Sequence, residues 1–217
     1  MFSKPAIAGR VKTRLIGHLS PEQAAAFHEA LLADLREALE RAPFDCWLAW
    51  AVDGAEALPE GVEPAFRQAG VDLGERLHDG LSRAAREHDR VAAVGSDHPG
   101  FEAGLAALAF DALDDADLAI VPALDGGYSL IALRATALSP ALFDGIAWST
   151  GRVLEETLSR AAAMELRVTA LPPAADLDTP EDLTNLCCRL AAGEPAAGPR
   201  VRALLESWGR LPALVER

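Results

Sequence analysis

Short apolar runs of strand length alternate along this chain with longer stretches in which apolar residues recur every three or four positions. These are the spacings of buried strands and of one-sided helices. The first helix begins at Ser20-Pro21-Glu22-Gln23, where Ser suits the cap, Pro the first turn and Gln the third position, and it runs to about Arg41. Phe44 to Val52 predicts a strand, residues 53–64 a Gly/Pro-rich connection, and Gly74 to His88 a helix. Val91–Val94, Leu118–Val121 and Tyr128–Leu133 predict three buried strands, with a helix over 101–113 between the first two. A helix over Arg152–Met164 leads to a strand over Leu166–Leu171, and Thr179 caps a helix over Pro180–Ala191. Gly193 to Pro199 reads as a linker before a short helix around Val201–Trp208.

Strands that are apolar throughout, interleaved with amphipathic helices, imply an α/β fold with a mostly parallel sheet covered on both faces. No internal repeat is present, so the expected organisation is one domain over residues 1–192, followed by a linker and terminal helix over 193–217. A chain of 217 residues, half of them hydrophobic, is large enough to bury a core of this kind.

Charge then narrows the partners. A formal net charge of −13 argues against nucleic acid and against an anionic membrane surface, both of which call for surplus Lys and Arg. Apolar runs are interrupted every few residues, so none reads as membrane-spanning, and residues 1–20 lack the apolar stretch of a signal peptide. Cys46, Cys187 and Cys188 show no metal-binding spacing and suit packing roles in a reducing cytoplasm.

The charge is also uneven. Lys4, Arg10, Lys12 and Arg14 all precede the first acidic residue, Glu22. Val11 and Leu15 flank the later cations, while Pro5 and Gly9 lend loop character, so the stretch reads as a shaped loop rather than a solvated tail. Cations beside glycine-freed backbone N–H groups suit an anionic ligand. It is not a P-loop, because Val11 stands where that motif needs Gly and the earlier Gly is missing.

Ligands of open α/β sheets sit at the carboxyl ends of strands. Three pointed segments follow predicted strands here: Gly95-Ser96-Asp97-His98-Pro99, Asp125-Gly126-Gly127-Tyr128 and Asp176-Leu177-Asp178-Thr179. If those strands are neighbours, Asp97 and one of Asp176 and Asp178 face each other, and such hard oxygen donors suit Mg²⁺ or Mn²⁺. Each segment also has a plainer explanation. Asp178 could decorate a helix start, Asp125-Gly126-Gly127 could be an ordinary turn, and His98 could be structural. The cluster of Asp111, Asp114, Asp115 and Asp117 reads as a solvated helix end, and Trp148 as core. Asp125 is the first choice of base for an acceptor hydroxyl, with His98 behind it.

Taken together, these segments resemble a known family. Phe2-Ser3-Lys4-Pro5, Gly9-Arg10-Val11-Lys12-Thr13-Arg14-Leu15, Asp72-Leu73-Gly74-Glu75-Arg76, the three acidic segments and Trp148-Ser149-Thr150 resemble, in order, a bacterial glycosyltransferase-like family, DUF2064. It belongs to the nucleotide-diphospho-sugar transferase superfamily, and some members are named for arsenosugar biosynthesis. The resemblance spans about residues 1–190. It implies a GT-A-type, Rossmann-like mixed sheet that binds a nucleotide or nucleotide-sugar, a small-molecule acceptor and Mg²⁺ or Mn²⁺, with glycosyl transfer the expected activity, nucleotidyl transfer the alternative, and nucleotide binding without catalysis the second alternative. By similarity to guanylyltransferases, Lys12 and Arg14 would contact the phosphates. Lys4, Gly9, Arg10, Thr13, Ser96, Gly126 and Gly127 would complete the nucleotide site. Asp97 would bind the metal with Asp176 or Asp178, and Lys12, Asp97 and Asp125 would be the catalytic set. His98 replaces a usual Cys and Ala8 a usual Pro, and neither removes a proposed ligand. The family has a full apolar strand before the basic loop where this sequence has only Met1 and Phe2, so the expectation is a start site further upstream.

Overall fold

A computed structural model describes residues 1–61, 63–100 and 103–211. The chain divides into two compact units that interleave in sequence: Met1–Ser3, Trp47–Gly95 and Ala103–Ala175 form the first, and Lys4–Cys46, Ser96–Glu102 and Asp176–Arg217 the second.

The apolar runs become the strands of the first unit. β1 (Phe2–Ser3), β2 (Leu48–Trp50) and β3 (Ala65–Arg67) pair in parallel, in that order. β4 (Arg90–Val94), β5 (Leu118–Pro122), β6 (Tyr128–Arg134) and β7 (Val168–Ala170) form the order β4-β6-β5-β7. β6 runs antiparallel to both neighbours, and β7 runs parallel to β5. A single parallel bridge from Phe2 to Gly95 joins the two groups edge to edge. The expected mostly parallel sheet is thus observed, with one reversed strand. β3 was not anticipated, because three residues just past the 53–64 connection carry too short a pattern to register.

Alternation along the strands separates two buried faces. Val91, Ala93, Leu118, Ile120, Ile131 and Leu133 pack with Leu77 and Leu81 of α2 (Leu73–Ala84) and Ala161 of α4 (Val153–Ala163). The alternate residues Ala119, Val121, Leu130 and Ala132 are buried as well, and α3 (Ala103–Ala112) packs on β5 and β6. Residues 101 and 102, expected to open that helix, lie outside the described residues. Trp148 packs against the first unit's core, as expected, and a Cβ at Gly74 would come within 2.9 Å of its indole. The acidic cluster after α3 is matched by arginines: Arg90 reaches Asp114 at 2.5 Å, and Arg167 reaches Asp117 at 3.0 Å.

The second unit is helical. α1 (Pro21–Glu40) opens with the predicted capping box: the Gln23 N–H donates to Ser20 Oγ, and the Ser20 N–H donates to Gln23 Oε1. α5 (Pro180–Ala191) opens with the same device between Thr179 and Asp182. Phe27 and Leu31 of α1, Leu183, Leu186 and Leu190 of α5, and Val201 and Leu205 of α6 (Pro199–Ser207) share one core with Leu15 and Leu177. Cys187 packs against that core, but Cys188 is exposed, contrary to the expected packing role. A helix turns roughly 100° per residue, so Cys187 and Cys188 point in different directions, and here only the first meets the core. No helix among the described residues is long and apolar enough to cross a membrane.

Candidate functional site

The basic loop enters the second unit with two apolar anchors. Val11 and Leu15 are buried, and Thr13–Leu15 close a single tight turn. Gly9 takes the left-handed region at φ 78°, which glycine adopts without strain. Lys12 takes it too, at φ 46° and ψ 39°, without that freedom. A non-glycine residue there needs compensating contacts. Lys12 has them: its side chain is only 2% exposed, and the ammonium donates to the Leu177 carbonyl at 2.6 Å and to Asp178 Oδ1 at 3.0 Å. It also forms an ion pair with Asp97 Oδ1. Arg14, from the same loop, reaches the other Asp178 oxygen at 3.5 Å from an exposed position.

The carboxylates are held by backbone. The Leu177 N–H donates to the Asp97 carbonyl at 3.1 Å, so one residue ties the Asp97 segment, and through its own carbonyl Lys12, to the Asp176–Asp178 turn. Asp182 Oδ2 accepts from the N–H groups of Asp178 and Thr179 and from the Thr179 hydroxyl, fixing the turn that carries Asp178. Partial desolvation by itself would raise the Asp97 carboxyl, although the side chain keeps access to solvent. The Lys12 ammonium outweighs it, with His28 and His98 adding to the effect, and the group titrates below the usual aspartate value. For Asp182 burial is likewise outweighed, by the Thr179 and Asp178 donors.

Not every expected ligand meets at this point. Asp97 and Asp178 share the Lys12 ammonium, whereas Asp176 Oδ1 lies 2.9 Å from His98 Nδ1, off the line of a regular hydrogen bond. Among the described residues no three His, Cys, Asp or Glu side chains gather as a ligand set. Two carboxylates closing on one positive group are nonetheless a donor pair that suits Mg²⁺, which is commonly held by one or two carboxylates, with phosphate and water completing the shell. Ser96 is buried beside Asp97 in the sequence, and the Lys4 carbonyl accepts from His28 Nε2 at 3.0 Å. That fixes Nε2 as the donor, and burial lowers the His28 pKa. Arg10 and Thr13 are exposed on the loop.

Asp125, Gly126 and Gly127 belong to the first unit, in the turn between β5 and β6. Asp125 Oδ1 accepts from the Gly127 N–H at 2.9 Å, so the carboxylate caps its own turn. Gly126, at φ 89°, lies so close to the Gly151 carbonyl that a Cβ would come within 2.1 Å of it. The close approach that two glycines permit is here an approach by another loop of the same unit.

Sequence reasoning passed over three contributors. The Leu177 carbonyl leaves no signal in a sequence. Asp182 could have been found, since Thr179 followed by an acid three positions on is a capping-box pattern. The pairing of His98 with Asp176 required knowing which segments meet.

A class emerges from the comparisons. The fold is shared with proteins described as transferases. It matches a 2-C-methyl-D-erythritol 4-phosphate cytidylyltransferase from Thermus thermophilus at 17% identity, over 85% of this chain and 95% of that one, with a TM-score of 0.52. A cytidylyltransferase from Leptospira borgpetersenii matches at 13% identity, over 86% and 87%, with a TM-score of 0.51. A Desulfovibrio desulfuricans protein, described as a "putative nucleotide-diphospho-sugar transferase", matches at 30% identity over 96% of this chain and 94% of that one, with a TM-score of 0.87. The model of the family described as "Uncharacterized protein conserved in bacteria (DUF2064)" matches residues 34–150. The chain belongs to the DUF2064 family. Among curated proteins, none matches it.

Proposed function

We propose that the protein is a metal-dependent transferase that binds a nucleotide-diphospho-sugar at the Lys12 loop and passes the sugar to a small acceptor. The observation that carries this reading is the buried Lys12 ammonium, on a residue in the left-handed backbone region and flanked by Asp97 and Asp178. A relative at 30% identity described as a "putative nucleotide-diphospho-sugar transferase" supports the same class.

In this reading Lys12 and Arg14 engage the phosphate oxygens, and the loop backbone around Gly9 adds N–H donors, with Lys4, Arg10 and Thr13 along its rim. Asp97 and Asp178 hold Mg²⁺ or Mn²⁺, which when bound supplies positive charge that offsets the departing diphosphate. The acceptor hydroxyl oxygen bonds to the anomeric carbon as that carbon's bond to the diphosphate breaks. The hydroxyl proton passes to solvent water, and a nucleoside diphosphate leaves.

A second reading is nucleotidyl transfer, in which a sugar phosphate attacks the α-phosphorus of a nucleoside triphosphate and pyrophosphate leaves. Two cations carried by one short loop, Lys12 and Arg14, favour it, since charge then builds on the phosphates themselves. The two readings part on products. With Mn²⁺ and a panel of nucleotide-sugars, the first expects acceptor-dependent release of a nucleoside diphosphate, lost in Asp97→Asn. Pyrophosphate formed from a triphosphate and a sugar phosphate would overturn it in favour of the second. Removing the charge at Lys12 as Lys12→Met should lower the transfer rate by about ten- to a hundredfold.

A further inference from the structure

Lys12 spends all of its hydrogen-bonding capacity inside the protein. An ammonium has three protons, and Lys12 meets three acceptors: the Leu177 carbonyl at 2.6 Å, Asp178 Oδ1 at 3.0 Å and Asp97 Oδ1. With its side chain 2% exposed, it offers no proton to a phosphate in this arrangement. The two carboxylates are different: 46% of the Asp97 side chain and 40% of the Asp178 side chain meet solvent. Water-borne cations can therefore reach them. Two carboxylates brought this close repel each other unless a cation lies between them. The place is held by the chain's own ammonium.

We infer that the Lys12 ammonium is a resident counter-ion for the Asp97–Asp178 pair, and that a divalent cation enters by displacing it toward the phosphates of the ligand. The inference rests on the metal-and-phosphate reading above and adds an order of events to it. Lysine suits this duty, since its charge is compact and rides on a flexible four-carbon stem. The left-handed backbone of Lys12 is balanced by contacts that hold only while the ammonium stays inward, so withdrawal is opposed until another cation takes over. Metal alone must compete with Lys12 and binds weakly. Once phosphate gives the ammonium a new partner, metal binding strengthens, and by reciprocity metal strengthens phosphate binding by the same factor. Arg14, exposed and resting on the outer Asp178 oxygen, is not displaced.

The test uses Mn²⁺ alone, with no nucleotide, and reads free Mn²⁺ by electron paramagnetic resonance against the full chain. Lys12→Met should bind one Mn²⁺ about ten- to a hundredfold more tightly than the unaltered protein, the scale of one charge-assisted contact removed from the competition. Adding Asp97→Asn to Lys12→Met should abolish that gain. Lys12→Gln, which keeps a polar tip against the Leu177 carbonyl, repeats the measurement should the methionine variant fold poorly, and Mn²⁺ should raise the melting temperature of either variant more than that of the unaltered protein. Equal Mn²⁺ affinity in the lysine variants and the unaltered protein, with binding still lost in Asp97→Asn, overturns the exchange and leaves the metal reading standing. Mn²⁺ binding indifferent to Asp97→Asn in every background overturns both.

Discussion

Two carboxylate sites in the second unit use similar parts to opposite ends. Asp34, on α1, has a side chain only 6% exposed, and its oxygens accept from the backbone N–H groups of Arg200 at 3.0 Å and Val201 at 2.9 Å. It occupies the N-terminus of α6, where an anion is favoured, and closes it with the chain's own charge. Gly198 makes room, since a Cβ there would come within 2.4 Å of the Asp34 carboxyl carbon. Asp97 and Asp178 are instead about half open to solvent and meet a side-chain ammonium. Backbone donors cannot leave, whereas a lysine can. A carboxylate locked by peptide N–H groups holds a fold together; one balanced by a mobile cation is available to a ligand.

The contrast can be broken from the structural side first. Asp34→Ala leaves two helix-end N–H groups without their acceptor and should cost about 3 kcal/mol in urea unfolding, with nucleotide affinity unchanged. Gly198→Ala forces its new methyl group onto the same carboxylate and should cost about 2 kcal/mol. Equal losses from Lys12→Met and no effect on ligand binding would erase the distinction.

Acid sharpens it. The Asp97 pKa in the folded state lies below its unfolded value, so its contribution to stability is complete above about pH 4 and is lost as the pH falls through the folded pKa. Stability of Asp97→Asn should therefore fall less steeply below about pH 4 than that of the unaltered protein, measured by urea unfolding at stepped pH. The smallest effect concerns the first unit. Asp117, hydrogen-bonded by the Arg167 side chain and backbone, titrates at about 2 although it lies at the surface. Arg167→Met should move its NMR titration midpoint upward toward an ordinary aspartate, with little change in overall stability, because exposed pairs contribute little.

Much of this was legible beforehand for particular reasons. The helix starts at Ser20 and Thr179 are both present, the first with the predicted Ser20–Gln23 capping box and the second with Thr179 as cap. Val11 and Leu15 marked the basic loop as anchored rather than free, and both are buried. What failed to register was either too short, like β3, or long-range, like the alignment of His98 with Asp176. Cys188 departs from its expected packing role because tertiary contacts decide which side of the helix meets the core, and Cys187 takes that side.

Local rules were enough for the strand and helix sequence, the caps and the list of charged candidates, because each depends on spacing within a few residues. Which carboxylates share a cation was decided elsewhere. Lys12 and Asp178 are separated by 166 positions, and Coulomb interactions act through space rather than along the chain, so only the folded arrangement could choose Asp178 over Asp176 and turn the Lys12 ammonium inward.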